Sequence, residues 1–112
     1  MCRIAGAISP TLHKDELSAF VNSMCFVQKH GGPDDSGTYT GETFNGVIGH
    51  CRLSIIDITP AGHQPMNYLS QKYVISYNGE IYNYRELRDE LKNSGYSFST
   101  QSDTEEIGRA HV

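Results

Sequence analysis

The chain has no basic stripe: 9 lysines and arginines are outnumbered by 13 acidic residues, for a formal net charge of −4. Nucleic-acid binding needs clustered cations to displace counterions, so a polynucleotide is not expected as a partner. Long hydrophobic runs are also missing. The apolar stretches extend only a few residues, far short of the roughly 20 that cross a bilayer, so no membrane partner is expected. The N-terminus lacks the basic and apolar regions of a signal peptide. Cysteine is scarce and odd in number, at Cys2, Cys25 and Cys51. With no close pairing, this suits a reducing cytoplasm, with Cys25 and Cys51 as buried small hydrophobes. No Cys-x-x-Cys or His-x-x-x-His spacing occurs. Adjacent residues on a strand point to opposite faces, so His50 and Cys51 would not share a metal, and none is expected. There is no internal repeat and no low-complexity tract.

What is present is globular in composition, with 38% apolar and 20% charged residues. At 112 residues it is one small core or part of one. Residues 3–8 form an apolar run that reads as a first strand, with Cys2 at its leading end. Over 15–28, Leu17, Phe20, Val21, Met24 and Val27 recur at helical spacing, before Gly31, Gly32 and Pro33 break the pattern. A turn-rich loop at 32–37 leads into strands predicted at 38–43 and 47–56. Residues 57–67, with Pro60, Gly62 and Pro65, read as irregular. A strand is predicted over 71–77, ended by a turn at Asn78-Gly79. Asn83 and Glu86 are spaced as an N-cap and its third-position partner, opening a helix that stops near Gly95. A last strand is predicted at 96–100, and Ser102-Asp103-Thr104-Glu105 caps a further helix. Strands in hairpin-like succession with a few helices predict an α+β fold, an antiparallel sheet covered by helices.

Cys2 is the first residue with chemical promise. A small second residue permits removal of Met1, which leaves a thiol and a free α-amine on one residue. Such an amine, with a reference pKa of about 7.7–8.0, accepts a proton near neutrality. It can serve as the base for its own nucleophile, as in N-terminal threonine hydrolases. Asn78-Gly79 alone reads as a plain hairpin turn. Arg52 alone reads as an ordinary strand arginine, and Asp103 alone as a helix cap.

Six blocks then occur in order: Met1-Cys2-Arg3-Ile4-Ala5-Gly6, His30-Gly31-Gly32-Pro33-Asp34-Asp35-Ser36-Gly37, Gly49-His50-Cys51-Arg52-Leu53-Ser54-Ile55-Ile56-Asp57, Gly62-His63-Gln64-Pro65-Met66, Tyr77-Asn78-Gly79-Glu80-Ile81-Tyr82-Asn83-Tyr84 and Ser102-Asp103-Thr104-Glu105. This set resembles the class II glutamine amidotransferase domain of the N-terminal-nucleophile hydrolases, in particular the asparagine synthetase group, over residues 1–105. The resemblance implies an αββα sandwich of which only the N-terminal part is present. It implies glutamine as substrate, Cys2 as nucleophile, and Asn78 with the Gly79 N–H as oxyanion donors. By the same likeness Arg52 binds the α-carboxylate and Glu80 and Asp103 the α-ammonium, while Leu53 and Ile55 line the pocket. No cofactor is implied for this segment. ATP and magnesium belong to a synthetase domain, absent here, that makes asparagine from aspartate with the released ammonia. A homodimer is the implied assembly. The glutaminase domain of another class II enzyme, such as amidophosphoribosyltransferase or glucosamine-6-phosphate synthase, is the near alternative. A non-catalytic glutamine-binding module is the distant one.

Two positions depart from the family's pattern: Arg3 stands where it has glycine, and Gly31 where it has arginine. A cation at position 3 is expected to replace, in part, the one missing at 31. The stretch 106–112 also departs, resembling a translated sequencing-library adapter, and is expected to be a non-native tail.

Overall fold

The computed structural model describes residues 1–69 and 72–110. Strand β1 (Arg3–Ile8) occupies the predicted residues and pairs antiparallel with β3 (Gly46–Arg52), which pairs in turn with β2 (Asp35–Thr40). The sheet order is therefore β1-β3-β2, with β3 central. Both predicted strands in this region were placed too far along the chain. β2 starts at Asp35 because the Asp34 N–H already donates to the Arg52 carbonyl, which opens the ladder. β3 stops at Arg52, beyond which Leu53 and Ser54 turn their N–H groups to the Cys2 sulfur and the Asp34 carboxylate.

Helix α1 (Lys14–Gln28) covers one face of this sheet. It starts a residue earlier than its apolar periodicity implied because His13 caps it. The Asp15 N–H donates to His13 Nδ1, and the Glu16 carboxylate accepts from the His13 N–H. Leu17, Val21 and Cys25 meet Ala5, Val47 and Cys51 in the buried core. Complete burial of Leu17 and Val21 contributes about 1.5–3 kcal/mol each. Cys25 and Cys51 behave as the predicted small hydrophobes, the Cys51 thiol donating to the Cys25 carbonyl. Side chains alternate across a strand, so Cys51 faces α1 while His50 faces the other way, toward Ser76.

A second, two-stranded antiparallel sheet joins β4 (Met66–Tyr68) and β5 (Tyr73–Ile75). β4 falls in a segment read as irregular; three residues after Pro65 are too few to show a period of two. β5 is shorter than the strand predicted at 71–77, whose first residue lies outside the described ones. Helix α2 (Tyr84–Asn93) has Asn83 at its N-cap position, but the Asn83 side chain makes no capping bond there, contrary to expectation. Residues 96–100 do not form the predicted strand. The Tyr96 N–H goes to the Leu91 carbonyl and those of Ser99 and Thr100 to the Glu105 carboxylate, which takes donors that a ladder would need.

Helix α3 (Thr104–Ala110) follows the predicted start. Glu106 forms a buried ion pair with Arg88 at 2.5 Å, and Arg88 also donates to the Thr100 and Ser102 carbonyls. The Arg88 guanidinium lies 4.7 Å from the centre of the Phe98 ring. This network ties α2 to the 98–106 segment. Antiparallel sheets with covering helices are the α+β architecture the sequence implied.

Candidate active site

The end of β1, the turn after β3, the segment after β5 and the start of α3 converge on a cleft of about 340 Å³. It is lined by Met1, Cys2, Leu53, Ile55, Ile56, Asn78, Gly79, Glu80, Tyr82 and Asp103. Seven of the eight residues singled out from the sequence as catalytic or substrate-binding share this one space. The Cys2 sulfur accepts a hydrogen bond from the Leu53 N–H at 3.2 Å and lies 3.7 Å from the Leu53 carbonyl. It is thus moored to the segment just after β3, while its residue also lines the cleft.

The Asn78-Gly79 turn is held from behind by a residue the sequence reading passed over. Gln64 is buried; its Oε1 accepts from the Tyr77 N–H at 2.6 Å and its Nε2 donates to the Thr104 hydroxyl at 3.2 Å. One side chain therefore fixes both the entry to the Asn78-Gly79 segment and the first residue of α3. The only sequence signal for it was membership of the Gly-His-Gln-Pro-Met block, since a buried glutamine has no periodic signature. Asp103 is buried too, and one of its oxygens accepts from the Ile81 N–H at 2.8 Å, so it is more than a helix cap. The Tyr77 phenol is pushed up from its ordinary value by burial first and then by the Asp103 and Glu80 carboxylates.

Arg52 is placed differently. It is buried, and its guanidinium donates to the backbone carbonyls of Thr59 at 3.3 Å, Ile56 at 2.9 Å and Asp57. It lines a different cavity, of about 570 Å³, with Asp34, Asp35, Ser54, Ile58, Thr59, Pro60 and His63. Asp57 completes that tether from a left-handed conformation, φ 54°. Burial alone would raise its carboxyl, but hydrogen bonds from the Thr59 hydroxyl and from the Gln101 and Thr59 N–H groups outweigh this and hold it below the usual range. In the same cavity His63 Nδ1 lies 2.6 Å from the Asp35 carboxylate. Among the described residues no group of three or more His, Cys, Asp or Glu is arranged to hold a metal, and no helix is long and apolar enough to cross a membrane.

His50 lies behind the site and is fully buried, with Nδ1 bonded to the Ser76 hydroxyl at 2.8 Å and no partner for Nε2. Burial, then Arg52, lowers its pKa from 6.5 to about 4. A base whose folded pKa is depressed takes up its proton more readily when unfolded. Between pH 6.5 and about 4 the unfolded chain therefore binds more protons, and stability falls on acidification. The expected loss across that window is about 3 kcal/mol. Denaturant titrations at several pH values check it: His50→Gln should flatten that part of the stability curve, and matching slopes in the two proteins would contradict the assignment.

Comparison with known proteins agrees with this geometry. A family model described as "Glutamine amidotransferase domain" matches residues 1–112. The chain is 43% identical over 110 residues to asparagine synthetase [glutamine-hydrolyzing] 1 of Bacillus subtilis (strain 168), covering 94% of this chain and 16% of that protein. It is 38% identical over 107 residues to asparagine synthetase B [glutamine-hydrolyzing] of Escherichia coli (strain K12), covering 96% and 19%. To a putative asparagine synthetase [glutamine-hydrolyzing] 2 of Methanocaldococcus jannaschii it is 36% identical over 123 residues, covering 96% and 23%. The chain thus spans less than a quarter of the length of these curated relatives. With the nucleophile candidate, the Asn78-Gly79 segment and two carboxylates gathered in one cleft, and a family model matched from end to end, this chain belongs to the glutamine amidotransferase domain family.

Proposed function

We propose that this chain hydrolyses the side-chain amide of glutamine, with Cys2 as nucleophile after removal of Met1. One observation carries the reading: an N-terminal thiol opens onto the same cleft as an Asn-Gly turn and two carboxylates. The Cys2 α-amine takes the thiol proton, and the sulfur attacks the amide carbon. The tetrahedral oxyanion is met by the Asn78 side-chain amide and the Gly79 N–H. Collapse forms the glutamyl thioester as the α-amine returns its proton to the departing ammonia. Water then attacks the thioester and restores the thiol, releasing glutamate. Glu80 and Asp103 hold the substrate α-ammonium, and Leu53 and Ile55 form the wall along its carbon chain. For Arg52 to take the α-carboxylate, its Nη atoms exchange the 56–59 carbonyls for carboxylate oxygens, and that loop moves with them.

The relatives named above are, by name, glutamine-hydrolysing asparagine synthetases. The corresponding role here is to supply ammonia for ATP-dependent conversion of aspartate to asparagine in a synthetase domain. The reading is tested by treating the chain with 6-diazo-5-oxo-norleucine, a glutamine-like electrophile, and locating the adduct by mass spectrometry. Covalent attachment at Cys2, blocked by excess glutamine, is the expected result. Reversible glutamine binding with no adduct would make this a binding module instead.

A further inference from the structure

We infer that Arg3 is a positioning residue for the nucleophile, and that Gly31 is small because the Arg3 side chain occupies the space a larger residue would need. A Cβ built on Gly31 would lie 2.6 Å from Arg3 Cζ, 2.7 Å from Nε and 2.9 Å from Cγ. Such contacts are below any tolerated separation, so the arginine stem and head group lie directly on the Gly31 backbone. From there Arg3 Nη1 donates to the Cys2 carbonyl and to the Met1 carbonyl, both at 3.0 Å.

The backbone explains why this matters. The β1–β3 ladder begins at the Arg3–Cys51 pair, so Cys2 lies just outside it. Two tethers hold Cys2: its sulfur at the Leu53 N–H and its carbonyl at Arg3. Removal of Met1 eliminates one of the two carbonyls that Arg3 holds and leaves the one on Cys2. A planar, permanently charged donor seated on a glycine is well suited to fix that carbonyl, and with it the direction of the Cα–Cβ bond that aims the sulfur. The inference deepens the glutaminase reading and rests on it for its catalytic meaning, but its geometric content can be measured separately.

The test uses the whole chain and reads amide hydrogen exchange at Leu53, whose N–H is protected only while the Cys2 sulfur stays in place. Arg3→Met keeps the stem without the donors and is expected to speed Leu53 exchange about tenfold. Gly31→Val, which evicts the arginine, should do the same. Arg3→Lys keeps a charged donor and should stay within about threefold of the parent, a split that mere space-filling would not produce. Adding Gly31→Arg to Arg3→Gly should restore protection that Arg3→Gly alone loses, because the guanidinium enters the same space from the other side. Unchanged exchange in Arg3→Met, or methionine serving as well as lysine, overturns the inference. Modification of Cys2 by 6-diazo-5-oxo-norleucine is followed in parallel and should slow in the variants whose exchange quickens. If the parent shows the exchange pattern but no adduct, the glutaminase reading fails and the placement of Arg3 stands. If the parent forms the adduct and Arg3→Met alters neither measurement, the placement fails and the glutaminase reading stands.

Discussion

Serine in place of Cys2 is expected to lower ammonia release from glutamine by about 10³-fold or more, with little change in glutamine affinity. The substitution is nearly isosteric, and a hydroxyl can accept from the Leu53 N–H as the sulfur does at 3.2 Å. The fold and the pocket should therefore survive. What is lost is nucleophilicity: near neutrality a hydroxyl ionises far less than a thiol of pKa about 8.5. Retention of Met1 should be equally damaging, because it turns the base into an amide nitrogen and leaves Met1 in the cleft it lines. A coupled ammonia assay on the mature full-length protein, with processing confirmed by intact mass, decides the matter. Cys2→Ser activity within tenfold of the parent would mean that the sulfur does no covalent work.

How much of this was legible in the sequence depends on the range of the interactions involved. β1 and α1 were readable because a short apolar run and a repeating apolar face are local signals. The predicted strand at 96–100 failed for a non-local reason: the Glu105 carboxylate takes the Ser99 and Thr100 N–H groups that a ladder would need. The early stop of β3 has the same origin, in N–H groups claimed by Cys2 and Asp34 from elsewhere in the chain. Such competition by side chains for backbone donors leaves no periodic trace.

The cleft shows the same division. Cys2, Asn78, Gly79, Glu80 and Asp103 are scattered across the chain yet could be named together, because the ordered motifs that hold them resemble those of one family. The supports could not be named. Gln64 works by bridging Tyr77 to Thr104, and Arg52 by gathering three loop carbonyls; both roles exist only in three dimensions. Arg3 and Gly31 lie between these cases. Each is conspicuous against the family's pattern, but only contact in space makes them one feature.

Asn78→Ala should cost about 10²–10³ in kcat for glutamine hydrolysis while KM changes little. In the proposed mechanism the Asn78 amide meets charge that appears only as the sulfur adds to the carbonyl, so its removal weakens the transition state and leaves the ground-state complex nearly intact. The backbone should tolerate the change. The turn is held by Gln64 through the Tyr77 N–H, not by the Asn78 side chain, and Asn78 is itself exposed in the cleft. Gln64→Ala makes the informative contrast. It leaves both donors chemically present but releases the segment that aims them, so kcat and KM should worsen together and the melting temperature should fall. Asn78→Asp is the stricter test of the charge. It conserves shape, removes the donor and sets a carboxylate against the developing oxyanion, so it should be slower than Asn78→Ala. If aspartate instead matches asparagine, charge at position 78 is irrelevant to the reaction and the oxyanion is stabilised elsewhere.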